Sequence, residues 1–555
     1  MCQPPAGVQF FLSLVCKNRW PGIPEQDAGD IRDSPLRSAC AGASGADVLR
    51  IYLNSCILRK TDVDMAWYPI TVDTKPRNTV RDEVSDHPGG WISGRKLSAA
   101  PAENILVKIF SWQRWGDWGG RTTGRRMKPS SRVFPCGAES SNQDDAMDIA
   151  IIGAGPSGMA AALEAAWSGA AATLYERNSL VGRKLLVTGS GRCNLTNDSV
   201  APEQYACADP EWIGAFLESF GVQEIIRLLR KIGIPVYKTS DGWYYPLSNS
   251  AQSVTDAFHQ ALIQAGVTIR TKHHVTGIRT AEKGFLITLT DAFGKTRELV
   301  FSKVIVAAGG AAQPKLGSRG ELFPELEKMG HTVLPQRPAL APVQADLQSL
   351  IHLQGLKLDA GVELLDGDER AAESEGNILF TEWGINGPGV MNLSHVISAR
   401  PNHPLTLSLD LLHFFEKEFS DLLREKRESG TPVRIFLEAF FPPKAASLFP
   451  AMARVPEDAL LGSLDDESLQ RLIRTLRATR VKVRGVRGFE VCQLSAGGVP
   501  VTEADPRTLE SRIVKGVYLA GETLDAVGPC GGFNLHFAFA GGALAGRAAA
   551  KKIHS

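Results

Sequence analysis

Residues 148–158 read DIAIIGAGPSG, and the chain runs on through MAAALEAAW at 159–167 to ATLYE at 172–176. An apolar run, a glycine cluster, an alanine-rich stretch and a second apolar run predict strand, tight turn, helix and strand. Gly153, Gly155 and Gly158 stand in G-x-G-x-x-G spacing. The first permits the turn, the second lets backbone approach a pyrophosphate, and the third lets the helix lie close on the strand. The start of that helix offers unpaired N–H groups and a partial positive charge to phosphate. Glu176 ends the second strand 23 positions after Gly153, where a carboxylate accepts hydrogen bonds from ribose hydroxyls.

A second loop, GRKLLVTGSGRCNLTN at 182–197, follows almost at once. A nicotinamide-binding domain would go straight into further strand and helix units, so the early second loop points to a longer dinucleotide, FAD. Arg183 and Lys184 are placed to neutralise phosphate, and Gly189 and Gly191 let backbone amides approach the ribityl chain or the ring. Asn194 both donates to and accepts from a ring edge. Cys193 has no partner cysteine nearby and reads as a small packed residue.

The whole chain is consistent with a large α/β protein. Its 555 residues exceed one ordinary core, so two or three domains, or one carrying an insertion, are expected. The formal charge of +1 leaves no global field toward nucleic acid or anionic lipid. Nine scattered cysteines without a C-x-x-C pair fit a reducing cytoplasm, and no Cys/His cluster points to a metal. VQFFLSLVC near the start is too short for a membrane span and has no basic segment before it.

Residues 1–146 differ from the rest, holding six of ten tryptophans and five of nine cysteines without sustained periodicity. SWQRWGDWGGRTTGRRMKPSSR at 111–132 offers rings and cations of the kind that bind single-stranded nucleic acid. The preferred reading is instead a disordered or non-native leader, with Met147 as the native initiator, because patterned sequence starts directly after it.

The residues from 147 onward resemble the YhiN-like flavoproteins, the BaiN/RdsA or aminoacetone-oxidase-like group of FAD-dependent oxidoreductases. The loop at 182–197 carries the likeness. So do DGWYYPLSNSAQSV at 241–254, FTEWGINGPGVMNLS at 380–394 and GVYLAGETLDAVGPCGGFNLHFAFAGGALAG at 516–546. The resemblance implies a Rossmann-like FAD-binding domain of the glutathione-reductase/fumarate-reductase type, with an inserted β-barrel and helical domain. The expected division is 147–334 and 486–555 for the FAD domain and 335–485 for the insertion. In the insertion, GVELLDG, NILF and LTLSLDL alternate as strands do, and Leu469, Leu472, Ile473 and Leu476 share one helical face.

The likeness also implies site residues. Gly521 and Glu522 end a strand, with Glu522 on the ribityl chain, and the following helix start at Gly531, Gly532 and Asn534 faces the pyrimidine edge of the flavin, where reduced flavin is anionic. Gly309, in VIVAAGG, flanks the dinucleotide, and Val275 meets adenine. Gly541 and Gly542 are open between ligand contact and helix packing. Where the group has a Gly-Ser-Thr-Gly-Asp run, this chain has LGSRGELF at 316–323, placing Arg319 and Glu321 near a turn.

Trp243, Tyr244, Tyr245, Glu382, Trp383 and His536 are the candidate substrate-side residues. An aromatic pair would sandwich a planar substrate, while Glu382, His536 or Tyr245 would move a proton. The expected function is hydride transfer between FAD and a small organic substrate, by reduction of a conjugated double bond or oxidation of an amine or aminoketone. No second G-x-G-x-x-G strand follows, so NADH or NADPH is expected only as a transient electron donor. The alternative is a flavin-bound redox sensor or RNA-associated module without turnover. The small-molecule substrate is the expected partner, with no nucleic acid, membrane or metal; oligomeric state is left open.

Overall fold

A computed structural model describes residues 148–551. The expected leader at 1–146 and the expected initiator Met147 lie outside the described residues.

The frame is a five-stranded parallel sheet. Its strands are β1 (Asp148–Ile152), β2 (Ala171–Glu176), β3 (Thr268–Thr271), β4 (Lys303–Val306) and β5 (Val517–Leu519), ordered 3-2-1-4-5. Ile149, Ile151, Val304, Ile305 and Leu519 are wholly buried, as expected of parallel strands covered on both faces. An antiparallel three-stranded sheet, Phe285–Thr290 between His274–Thr280 and Thr296–Phe301, fills the connection from β3 to β4.

Two helices determine how the chain ends meet. α1 (Pro156–Trp167) begins with proline at its first position, where a missing N–H costs nothing, and continues through alanines. α2 (Phe533–Ala549) lies against it so closely that a Cβ on Gly542 would sit 2.0 Å from the Ser157 carbonyl oxygen. A Cβ on Gly546 would come 2.2 Å from the Ala161 carbonyl oxygen. Gly542 is therefore a packing glycine, and the contact is clamped by Arg547, which donates to both carboxylate oxygens of Glu164 at 2.8 and 3.1 Å.

The segment between the two parts of the frame forms a closed six-stranded barrel. In barrel order its strands are Val343–Ala345, Gly384–Asn386, Glu369–Phe380, Lys357–Asp366, Leu405–Asp410 and Thr479–Val486. Every ladder is antiparallel. Four helices, Glu416–Lys426, Val433–Glu438, Pro443–Met452 and Asp466–Arg477, lie between the last two strands in sequence. Leu472 and Leu476 are buried, and Leu469 and Ile473 pack on the same cluster, which is separate from the core around the parallel sheet. Among the described residues no helix is long and apolar enough to cross a membrane.

Candidate active site

Parallel strands leave a crevice beyond their carboxyl ends where the strand order reverses. Here β1 and β4 flank that point, and a cavity of about 640 Å³ opens there. Its walls include the residues that follow β1 (Gly153–Ser157), β4 (Ala307–Gly309) and β5 (Ala520–Thr523). Glu176 and Asn178 also line it. Residues of the loop 188–194, the strand Trp243–Pro246 and the turn 529–532 line it too, with Gly189 beside Tyr245 and Gly531 beside Trp243.

The glycine turn has the expected geometry. Gly153 has φ +99° and its amide donates to the Tyr175 carbonyl at 2.8 Å, tying β1 to β2. Gly158 does not reach the cavity: a Cβ there would sit 1.8 Å from the Gly153 carbonyl oxygen, so its absence lets α1 pack on the turn. Gly155 lines the cavity, and a Cβ there would meet nothing within 4 Å. Glu176 is buried; its carboxylate accepts from the Ala154 amide at 3.0 Å and from the Asn178 amide and side chain at 2.7 Å.

On the cavity wall Lys184 Nζ donates to Glu522 Oε2 at 2.6 Å. The other oxygen of Glu522 accepts from the Ser495 amide and hydroxyl at 2.8 Å. Arg183 lines the wall and donates to Asn178 Oδ1 at 2.9 Å. Val275, Gly309, Gly521, Gly531, Gly532 and Asn534 all line the cavity too. The Asn534 side chain is spent on its own turn, accepting from the Gly528 amide at 2.9 Å and donating to the Gly528 and Pro529 carbonyls at 2.8 and 3.3 Å. Gly191 is a correction: it is exposed and off the wall, because the left-handed turn through Gly189 and Ser190 points it outward.

Two wall atoms test whether this frame suits FAD. Ser157 Oγ and Asn194 Oδ1 are buried without a hydrogen-bond partner, and both residues line the cavity. Buried acceptors and donors left unmatched are costly unless a ligand satisfies them. With the open cradle at Gly155 and the starts of α1 and α2, they fit a dinucleotide carrying phosphates and a polar ring.

The substrate-side expectations divide. Trp243 and Tyr245 line the cavity with ring centroids 6.4 Å apart, while Tyr244 faces away and donates to Asp198 at 2.9 Å. Successive strand side chains alternate, so the aromatics form one wall rather than a sandwich. Burial raises the Tyr245 phenol above its usual range, against the opposing pull of Arg192.

Glu382 and His536 are corrections. Glu382 is exposed and off the wall, because Thr381 closes a tight turn on the Gly384 carbonyl and projects residues 382 and 383 outward. Trp383 instead stacks with Arg487, whose Cζ is 4.8 Å from the ring centroid. His536 is fully buried off the wall; its Nδ1 meets Thr196 Oγ1 at 2.8 Å and its Nε2 meets the Phe220 carbonyl at 3.3 Å. Burial holds its imidazole down at about 4, so it is neutral and both nitrogens are engaged. Burial likewise pushes the thiols of Cys193 and Cys530 up to about 12.

Sequence reading missed Arg192 and Asn386 on the wall, and the charged rim where Glu321 takes a hydrogen bond from His274 at 2.8 Å and pairs with Arg177. Arg192 had a signal, as the third cation of the 182–197 loop; the rim joins residues too distant in sequence to show one.

The family described as "HI0933-like protein Rossmann domain" matches residues 147–548. A 3-dehydro-bile acid delta(4,6)-reductase of Clostridium scindens is 34% identical over 413 residues, covering 73% of this chain and 99% of that protein. A ribosomal RNA dihydrouridine synthase of Escherichia coli is 30% identical, covering 71% of this chain and 95% of that protein. Among solved structures, a 3-ketosteroid-delta4-(5alpha)-dehydrogenase from Rhodococcus jostii RHA1 has a TM-score of 0.41 at 15% identity, covering 75% of this chain and 99% of that one. The chain belongs to the HI0933-like family, flavoprotein oxidoreductases built on a Rossmann FAD domain.

Proposed function

We propose that this protein reduces a carbon–carbon double bond conjugated to a carbonyl, with FAD as resident cofactor and NADH or NADPH as transient donor. The observation that carries the reading is that a single cavity is lined both by the glycine turns and by Trp243, Tyr245 and Arg192. The names of the two relatives support it. A 3-dehydro-bile acid with Δ4 and Δ6 bonds and a uridine base share one electrophile, an alkene in conjugation with a carbonyl. Because one relative is named for ribosomal RNA, the near-neutral charge of this chain does not exclude a base within RNA as substrate.

In this reading Gly153, Gly155 and the start of α1 hold the pyrophosphate, Glu176 the ribose and Val275 the adenine, with Gly309 alongside. Arg183 is assigned to phosphate, and Lys184 with Glu522 to the ribityl chain. Gly531, Gly532 and the Asn534 backbone at the start of α2 take the pyrimidine edge, with Asn194 at the ring. Bound FAD would supply the hydride. The protein's residues orient the acceptor, exclude water and deliver the proton, a role that falls to Tyr245 once Glu382 and His536 are off the wall. The four described cysteines are all unpaired, in keeping with a reducing cytoplasm.

The test is anaerobic. FAD-loaded protein is reduced with NADH or NADPH and then offered a 4,6-dien-3-one steroid, uridine-containing RNA or aminoacetone. Reoxidation by the dienone or RNA, with the product two hydrogens heavier, supports the reading. Flavin bleached by aminoacetone and restored only by oxygen would replace it with amine oxidation. Slow bleaching with every donor would favour a sensor without turnover.

A further inference from the structure

The loop from Thr188 to Cys193 is wound against its preference. Gly189, Ser190, Gly191 and Cys193 all have φ between +55° and +83°, in the left-handed region that side chains beyond glycine rarely adopt. Such strain persists where the surroundings over-determine it, often at a site. What the loop holds in place is Arg192. Its Cζ is 4.5 Å from the Tyr245 ring centroid, Nη2 donates to Tyr245 Oη at 3.3 Å, and Nε reaches the Gly189 carbonyl at 3.4 Å. Among the described residues no carboxylate pairs with it, although it is exposed on the cavity wall.

One feature distinguishes this cation from Arg183 and Lys184, whose acceptors are Asn178 and Glu522: it stands over the Tyr245 ring and bonds its hydroxyl. Most of its five N–H donors are uncommitted, and the Tyr245 hydroxyl, which accepts from it, keeps its own proton to give. Burial keeps that phenol protonated. The wall thus presents a positive charge and a neutral O–H donor side by side, next to Trp243, with no carboxylate among the described residues in salt-bridge contact with Arg192.

We propose that Arg192 and Tyr245 form a clamp for the carbonyl oxygen of a conjugated-alkene substrate, with Arg192 as the residue that fixes substrate class. The inference rests on the proposed reduction and adds its electrophilic half. Hydride addition to the β-carbon, for which bound FAD would be the source, would move the alkene electron pair to the α-carbon and carbonyl oxygen as an enolate. The negative charge on its oxygen would develop at the Arg192 guanidinium and Tyr245 hydroxyl; Tyr245 would give its proton to that oxygen and be reprotonated from solvent, and the enol would tautomerise to the saturated carbonyl, so two electrons and two hydrogens are taken up in all. Preorganised donors at the developing oxyanion are the part of such a site that lowers the barrier.

A phenolate imitates the enolate oxygen without reacting. Titrating 4-hydroxybenzaldehyde into oxidised, FAD-loaded protein, with the long-wavelength absorbance as readout, should show binding of the phenolate with its phenol acidified. Arg192→Gln should weaken this about 100-fold and Tyr245→Phe about tenfold, with Arg192→Lys between wild type and Arg192→Gln. Binding of 4-methoxybenzaldehyde, which offers the clamp only a neutral oxygen, should change by no more than about threefold in all three, and FAD content should match wild type. Wild-type protein that prefers the methoxy compound, an Arg192→Gln protein that binds phenolate normally, or one that cannot hold FAD would each overturn the clamp. Phenolate selectivity in a protein that reduces no dienone or uridine would sink the proposed reaction and leave the clamp standing.

Discussion

Lys184 Nζ stands 2.6 Å from Glu522 Oε2, so two loops 338 residues apart meet through an ion pair on the cavity wall. Both side chains are mostly buried, 22% and 13% exposed, and the second oxygen of Glu522 is held by Ser495. Removing one partner of such a pair strands the other charge, while removing both does not. Lys184→Met should therefore lower the stability of cofactor-stripped protein by about 2 kcal/mol and reduce FAD content. The double variant Lys184→Met/Glu522→Gln should recover much of the stability but not the cofactor. Thermal unfolding of the stripped proteins and visible spectra of the purified ones check this; additive losses in the double variant would refute the coupling.

Two glycines of similar appearance should fail in opposite ways. A side chain at Gly155 enters open cavity, whereas a Cβ on Gly542 would come 2.0 Å from backbone of α1. Gly155→Val should fold with a normal circular dichroism spectrum yet purify nearly colourless. Gly542→Val should lose stability by several kcal/mol, about the upper range for single substitutions, or fail to accumulate. A yellow, stoichiometric Gly155→Val protein would move the phosphate turn elsewhere.

Glu321 joins the 316–323 turn to the end of β2 and to the strand His274–Thr280, through Arg177 and His274, with Arg319 at 3.8 Å. Burial opposes its ionisation, but Arg177 and His274 override it and hold the carboxyl below the ordinary range. The group gives its stabilisation above its unfolded value of 4.5 and loses it as pH falls through the lower folded value. Glu321→Gln should release FAD roughly fivefold faster at neutral pH, the scale of a half-exposed pair. Added salt should narrow the difference, and it should vanish only once pH has fallen through the folded value, which lies below 4.5. Equal release rates at neutral pH and low salt would show that the rim does not retain the cofactor.

The parts of the site visible in sequence are those whose cause is local. Gly153, Gly155, Gly158 and Glu176 fall within one strand–turn–helix–strand unit, where spacing alone carries the geometry. The alternation in 357–366 and 405–410 marks strands, but closure depends on Thr479–Val486 pairing back to Val343–Ala345, which no window of sequence reports. Glu382 was misread because a three-residue turn, invisible in composition, points it outward. His536 was misread because its partner Thr196 is 340 positions away, so its burial depends wholly on how α2 docks.

That burial gives His536 a measurable role in stability instead of catalysis. Its imidazole is lowered from 6.5 to about 4, chiefly by burial, against the weaker opposing effects of the Phe220 carbonyl and Glu224. Between those values the unfolded chain binds a proton that the folded chain refuses, so stability falls as pH drops from 6.5 toward 4. The full loss is on the order of 3 kcal/mol, taking 1.36 kcal/mol for each pH unit. His536→Gln keeps a side chain able to meet both Thr196 and the Phe220 carbonyl, and should flatten that slope in denaturant unfolding of the stripped protein. The pH profile of the FAD-loaded reaction should keep its shape in the variant. If the variant unfolds with the same acid slope as wild type, the imidazole is not the group that titrates; if its reaction loses a limb of the profile, His536 reaches the chemistry after all.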